Sequence, residues 1–533
     1  MPGIRPSILI SLAFVVFTAL HAADAPIKTA PVQTASGPVI GEERNGVHIF
    51  RGIPYAAPPV GDLRWKYTRP VDAWKEPREC LAFGPVCPQP TVPLYGDLGP
   101  ASENCLFLNV WSAAKVTADG KIADEKRPVL FWIHGGGFAI GAASQTWYEG
   151  TPLALDGAVV VSFNYRLGPF GFLAHPGLSA EAATHASGNY GMMDMASALQ
   201  WVKSNIAFFG GDPNNVTIWG ESAGGAAVDA LMASPLAKGL FHRAISMSSN
   251  TIVEQRFLSK ANGELQSMEE LGVEFQKRLN VPDGPDALKE MRAKTPAEII
   301  KAGRPGSAVP GVSTTDSVIV DGAFLEDPIK TIFAEGKVAR VPMMFGNVAD
   351  EGSMFERKLK YESVVKYKEF LDKRYGTKSA QAFDIYPTAD DAGVQTAQAL
   401  LFSDIFVATT RLHARQMAAV QPATYQYHFT RKAKPMVDSK WGVYHGSELP
   451  FFFGNVQDTE KYTDEDRELS RLIRLYLVTF AKTGNPNPEL APQAPNWPAF
   501  KLGEEQLLVL DTPISTGEKL HGKTLDALEK MGK

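Results

Sequence analysis

Residues 129–133 read Val-Leu-Phe-Trp-Ile, a run with no polar position to turn towards solvent, and so predict a strand buried on both faces. Residues 158–163 and 216–219 have the same character. Further strands are predicted at 104–111, 244–247, 341–345 and 424–429, with 507–510 as a short final one. Residues 37–53 alternate around Gly41 and Gly46 as a small hairpin or meander does. Apolar positions recur at helical spacing in 192–205, 226–232 and 467–483. Strands alternating with helices imply an α/β fold: a central, mostly parallel mixed sheet covered by helices on both faces.

Between these elements, residues 50–61 are too rich in proline for a helix or a central strand and predict an extended connector. Residues 66–104 read as loop, and 114–127 as a polar, exposed insertion. Residues 250–340 are helical, polar and punctuated by proline, and are expected to cap the face that carries the chemistry and to shape substrate choice.

The formal charge of −5 over 533 residues argues against a nucleic-acid binder, which carries a basic stripe. Arg5, an apolar run over 8–20 and His21-Ala22-Ala23 have the layout of a secretory leader, cleaved near Ala22 or Ala23. The run is too short to span a bilayer, so no transmembrane anchor is expected and the product is periplasmic or extracellular. The remainder, 24–533, shows no linker-like break and is expected to form one domain. Its cysteines are Cys80, Cys87 and Cys105, an odd count that leaves one thiol over if a disulfide forms.

Gly220-Glu221-Ser222-Ala223-Gly224 fits G-x-S-x-G between a predicted strand and a predicted helix. There a serine is forced outward on a turn that only small neighbours allow. Such a serine needs a base, an acid to orient the base, and donors for the oxyanion. His134-Gly135-Gly136-Gly137, after a buried strand, resembles an H-G-G-G turn of backbone donors, joined by the N–H of Ala223. In the chain order serine, acid, histidine, the bases to weigh are His413, His428, His445 and His521. His445 lies on a loop beside a glycine, where catalytic groups concentrate. Asp350 and Glu351 are adjacent acids after one strand, and physical reading alone does not choose between them.

From about residue 37 to the C-terminal helix the chain resembles the type-B carboxylesterase and cholinesterase family of α/β-hydrolases. The resemblance rests on residues 50–61 with Leu63-Arg64-Trp65, on Glu103-Asn104-Cys105-Leu106-Phe107-Leu108-Asn109-Val110, and on Asn164-Tyr165-Arg166-Leu167-Gly168. It extends to Phe208-Phe209-Gly210-Gly211-Asp212-Pro213 and the serine turn. Asn104 stands where the family usually has Asp. The resemblance implies Ser222 as nucleophile, His445 as base, Glu351 as acid, and Gly136, Gly137 and Ala223 as oxyanion donors. It also implies an Arg64–Glu103 ion pair and a Cys87–Cys105 disulfide, with Cys80 left over. Cholinesterases carry a Trp in the loop closed by that disulfide, for cation–π binding of a quaternary ammonium. Here Tyr95 is the aromatic in that loop, so choline esters are disfavoured.

Gly517-Glu518-Lys519-Leu520-His521-Gly522-Lys523-Thr524 matches a phosphate-loop pattern in letters, but too little chain follows it to supply a metal-binding carboxylate. No zinc-type spacing is present, and no metal or organic cofactor is implied. The expected activity is hydrolysis of a small to medium carboxylic ester through an acyl-enzyme, with the ester and water as partners. An amidase, carbamate or lactone hydrolase on the same residues is the alternative, and a non-catalytic interaction protein a more distant one. Nothing in the sequence sets the oligomeric state.

Overall fold

The computed structural model describes residues 27–303, 317–358, 361–489 and 495–530; the predicted leader lies outside them. The described residues form a twelve-stranded sheet and a separate three-stranded one. In the large sheet the strands Val159–Phe163, Arg127–Ile133, Gly211–Glu221, Arg243–Met247, Met343–Val348, Thr424–Phe429 and Gln506–Leu510 run parallel in that spatial order. Antiparallel strands flank this parallel block on both sides.

Side chains leave a strand on alternate faces, so one apolar run feeds two cores. Val129, Phe131 and Ile133 join Val216 and Ile218 on one face, with the helices Tyr190–Asn205 and Ala223–Ala233. Leu130 and Trp132 join Trp219 and Ile245 on the other, under the helix Asp464–Thr483. The Trp132 and Trp219 rings stand 4.5 Å apart, and Phe453 stacks on Trp219 at 4.7 Å. This places Gly211–Glu221 near the middle of the sheet, paired with Arg127–Ile133 on one edge and Arg243–Met247 on the other. In open α/β sheets, ligands bind outside the carboxyl ends of such strands.

Three readings change. Phe50 to Pro54 is the second half of the strand Val47–Pro54, an internal strand, because a register shift between Phe50 and Ile53 accommodates the irregular backbone and Pro54 falls at the last position. Gln506–Leu510 is not the final strand: Ser515–Glu518 folds back on it, and the helix Gly522–Lys530 follows. The late helix begins at Asp464 rather than 467, because Thr463 accepts from the Asp466 N–H while Asp466 accepts from the Thr463 N–H, satisfying donors at both ends of a capping box. Among the described residues no helix is long and apolar enough to cross a membrane.

Candidate active site

At the carboxyl end of the central strand the chain turns so sharply that backbone meets backbone. A Cβ at Gly220 would lie 2.6 Å from the Gly224 carbonyl carbon and 2.7 Å from Ile133 O, and one at Gly224 or Gly225 would collide with Ile133 O or Met247 O. The small residues flanking the serine are therefore steric requirements of this turn. Ser222 itself adopts φ 60° and ψ −121°, a conformation that costs about 1–3 kcal/mol for a non-glycine residue. It is held by Ser222 N donating to Met247 O (3.0 Å) and by Ala226 N donating to Ser222 O (2.9 Å). Ala223 is the first residue of the helix that follows, where N–H groups have no intrahelical acceptor and the helix dipole is positive.

The turn after Ile133 lies directly over this elbow: a Cβ at Gly135 would sit 3.1 Å from Ser222 Cβ. Gly136 (φ +108°), Gly137 (φ +64°) and Phe138 (φ 57°) carry it round, and Ala139 N and Ile140 N close it on Gly136 O. Among the described residues, the Gly136 and Gly137 N–H groups find no acceptor within the protein. His134 anchors the turn from below, with its ring stacked on Tyr165 at 4.4 Å and its carbonyl accepting from Tyr165 OH at 2.8 Å. Burial pushes its imidazole down to about 4, so it stays neutral and bonds Gly135 O through Nδ1.

Of the candidate acids, Glu351 is the one that reaches a histidine. It is fully buried, and its Oε2 lies 2.6 Å from His445 Nδ1. Its other oxygen accepts from Ser248 Oγ (2.5 Å), Val348 N (3.0 Å) and Asn347 Nδ2 (3.1 Å). Burial works to raise the Glu351 pKa, but His445 and these donors hold it below the usual carboxylate range. Asp350 points elsewhere: its Oδ2 accepts from Val443 N at 2.8 Å and so pins the loop that carries His445.

Burial alone would lower the His445 pKa; the carboxylates of Glu221, Glu351 and Glu448 outweigh it and raise it to about 9. Nε2 lies 3.1 Å from Glu221 Oε1, on the residue preceding Ser222. Desolvation in turn pushes Glu221 up to about 7, with Glu351 adding to the rise. Phe406 and Phe355 wall the imidazole, their ring centres 4.7 and 5.3 Å from it. The other histidines lie apart. His413 bonds Thr251 inside the core, His428 is buried and pushed down to about 4, and His521 pairs with Asp404 at 2.6 Å.

Ser248, Asn347 and Glu448 were not singled out from the sequence. Ser248 and Asn347 sit at or just past the carboxyl ends of predicted strands, a signal that could have drawn attention to both. Glu448 follows His445 in the non-helical turn that leads into the helix Leu449–Phe453, and burial with the neighbouring Glu221 and Glu351 charges drives it well up.

Away from the serine, Arg64 donates through Nε to Glu103 Oε2 at 2.7 Å and through Nη1 to the carbonyls of Arg292 and Lys294 at 2.8 and 2.7 Å. The expected Cys87–Cys105 disulfide is not formed in this structure: both residues are free, buried thiols. The adjacent Cys87 thiol, and then burial, push the Cys105 thiol well up, and Cys87 Sγ accepts from Leu167 N at 3.2 Å. Cys80 is separately buried, and that burial pushes its thiol up to about 12. Tyr95 packs edge-on against Trp147 at 6.3 Å; burial, and then the Glu221 charge, push its hydroxyl up to about 12.

A model of the carboxylesterase family matches residues 28–527. The para-nitrobenzyl esterase of Bacillus subtilis (strain 168) is 37% identical over 505 residues, covering 91% of this chain and 95% of that protein. The fumonisin B1 esterase of Sphingopyxis macrogoltabida is 34% identical, covering 91% and 87%. A solved structure of a PNB esterase superposes with a TM-score of 0.78 at 33% identity, covering 93% of this chain and 99% of that one.

Proposed function

Because the chain belongs to the carboxylesterase family, we propose that it hydrolyses small to medium carboxylic esters with Ser222 as nucleophile, His445 as base and Glu351 as the acid that orients the base. The observation that carries this reading is the 2.6 Å Glu351–His445 contact, with the far nitrogen of the same imidazole facing the serine turn.

Ser222 Oγ attacks the ester carbonyl while His445 Nε2 takes its proton. The carbonyl electron pair becomes an oxyanion that accepts hydrogen bonds from Gly136, Gly137 and Ala223 N–H. Collapse expels the alkoxide, which leaves as the alcohol with the proton from His445. Water, deprotonated by the same nitrogen, then attacks the acyl-enzyme and releases the acid. Glu351 stabilises the imidazolium through Nδ1. Glu221, 3.1 Å from Nε2, stabilises it too, and competes for the nitrogen that must act as base.

We read the N-terminal residues as a leader that directs export, and residues 250–340 as a segment that shapes the route of the substrate. In an oxidising compartment Cys87 and Cys105 would be joined, restricting the unfolded chain by about 3 kcal/mol for a loop of this size. Ser222→Ala tests the central claim. Hydrolysis of p-nitrophenyl butyrate should fall about 10⁴-fold or more, and a fluorophosphonate should add its mass to the Ser222 peptide of the parent but not of the variant. Parent-like turnover by the variant would refute it.

A further inference from the structure

The turn that presents Gly136 and Gly137 has no secondary structure of its own, so something outside it must fix its shape. Its far side is the peptide joining Ile140 to Gly141. The carbonyl of that peptide presses on Gly136, where any Cβ would collide with Ile140 O. Its N–H points the opposite way, as the trans peptide requires. There Gln89 meets it: Gly141 N donates to Gln89 Oε1 at 2.7 Å, and Gln89 Nε2 donates back to Gly141 O at 2.8 Å. The second Nε2 proton goes to Cys87 O at 3.1 Å, so both amide protons and the amide oxygen are engaged and the carboxamide has one orientation. Gln89 lies in the otherwise loop-like segment after Cys87. The stretch from Pro85 to Leu98 is tied to the residues just past the turn by Ser144 Oγ donating to Leu98 O (2.9 Å) and by Asn164, which accepts from Ala143 N (2.9 Å) and donates to Pro85 O (3.0 Å).

We propose that Gln89 is a positioning residue for ester hydrolysis: its carboxamide clamps the Ile140–Gly141 peptide and through it fixes Gly136 and the donors that face the oxyanion. The inference rests on Gly136 and Gly137 serving as those donors. A clamp of this kind acts on the transition state, because a carbonyl in the ground state needs the donors less than the oxyanion does. Apolar packing supplies no substitute: a side chain of the same length without polar atoms leaves the Gly141 N–H and C=O unpaired. A carboxylate in its place keeps the acceptor for Gly141 N but sets two oxygens face to face at Gly141 O.

The test compares Gln89→Met and Gln89→Glu with the parent in the full chain, using p-nitrophenyl butyrate and counting active sites with a fluorophosphonate. Per titrated site, kcat should fall about ten- to a hundredfold, the scale of a small misplacement of catalytic groups, with KM within about twofold. The inhibition constant of an alkyl trifluoromethyl ketone, whose adduct is an oxyanion, should rise by the factor lost in kcat/KM. Gln89→Glu should lose more than Gln89→Met. If either variant keeps kcat per titrated site within twofold, or if loss of titratable sites accounts for the whole defect, Gln89 is merely structural and the inference fails. Should one variant not fold, the other decides. Ser222→Ala, run alongside, separates this outcome from failure of the nucleophile assignment: turnover by that variant would place the attack, and the oxyanion it generates, away from Gly136 and Gly137, whatever Gln89 does.

Discussion

Ser222 sits where main-chain segments from Ile133, Gly220, Gly224 and Met247 meet with no room for a side chain between them, whereas Glu351 and His445 are held by side chains reaching in from several separate segments. The first half of the site is defined by what is missing, a set of Cβ atoms, and the second by what is supplied, a set of hydrogen-bond donors and aromatic walls. The difference governs how each half fails. Backbone approach has no partial state, so one methyl group displaces a strand from a helix. A donor network degrades by steps, because the remaining donors still hold the acid.

Gly224→Ala should therefore have the largest effect. Its methyl group meets Ile133 O, and overpacking of this kind costs about 3 kcal/mol, read as a lower urea midpoint together with loss of nearly all esterase activity. Gly137→Ala sharpens the contrast, since a Cβ there meets nothing within 4 Å and only φ +64° resists it. Its stability loss should stay near 1–2 kcal/mol, and a loss as large as that of Gly224→Ala would contradict steric exclusion as the organising feature of the elbow.

On the other half, Ser248→Ala removes one of three donors to Glu351 Oε1, and loss of a hydrogen bond to a charged group costs about 1.5–3 kcal/mol. The Glu351 pKa should rise and kcat should fall roughly tenfold, the kinetic equivalent of the low end of that range, while the elbow still accepts a fluorophosphonate. Glu221→Gln should have the smallest effect on rate and the clearest effect on pH. In the proposed mechanism His445 must be unprotonated to act as base, and Glu221 is a main cause of its rise to about 9. Removing that charge lowers the imidazole pKa, so the acidic limb of kcat/KM should move to lower pH, by on the order of one unit. A limb that stays put or moves to higher pH would show that Glu221 does not set the base.

The same division explains what could be read in the sequence. Fully buried strands such as Arg127–Ile133 and Val159–Phe163 announce themselves as unbroken apolar runs, and the glycines of the elbow and of the turn after Ile133 are local requirements written in local letters. The acid side is long-range. Asp350 and Glu351 follow one strand and differ by a methylene, and only the folded loop at Val443 separates the residue that pins it from the residue that reaches His445. Ser248 and Gln89 were silent for the same reason, since each acts on a residue far away in sequence. The strand from Phe50 to Pro54 was hidden because proline composition argues against pairing, and a register shift makes the pairing possible. The cysteines kept their proximity but not the predicted bond, a matter of redox chemistry that spacing does not encode.

The parallel pairing of Ala244 with Met343 has a consequence for the birth of the molecule. One neighbour of the strand after the elbow helix is made before it, but the other emerges only after the whole of 250–340 has been synthesised. Until then the strand Arg243–Met247 presents an open edge of unpaired N–H and C=O groups, and closing such a distant pair is slow because chain entropy is lost before contacts repay it. The nascent chain thus carries an adhesive edge while 250–340 is being made, and a longer-lived edge lowers the yield on synthesis or refolding.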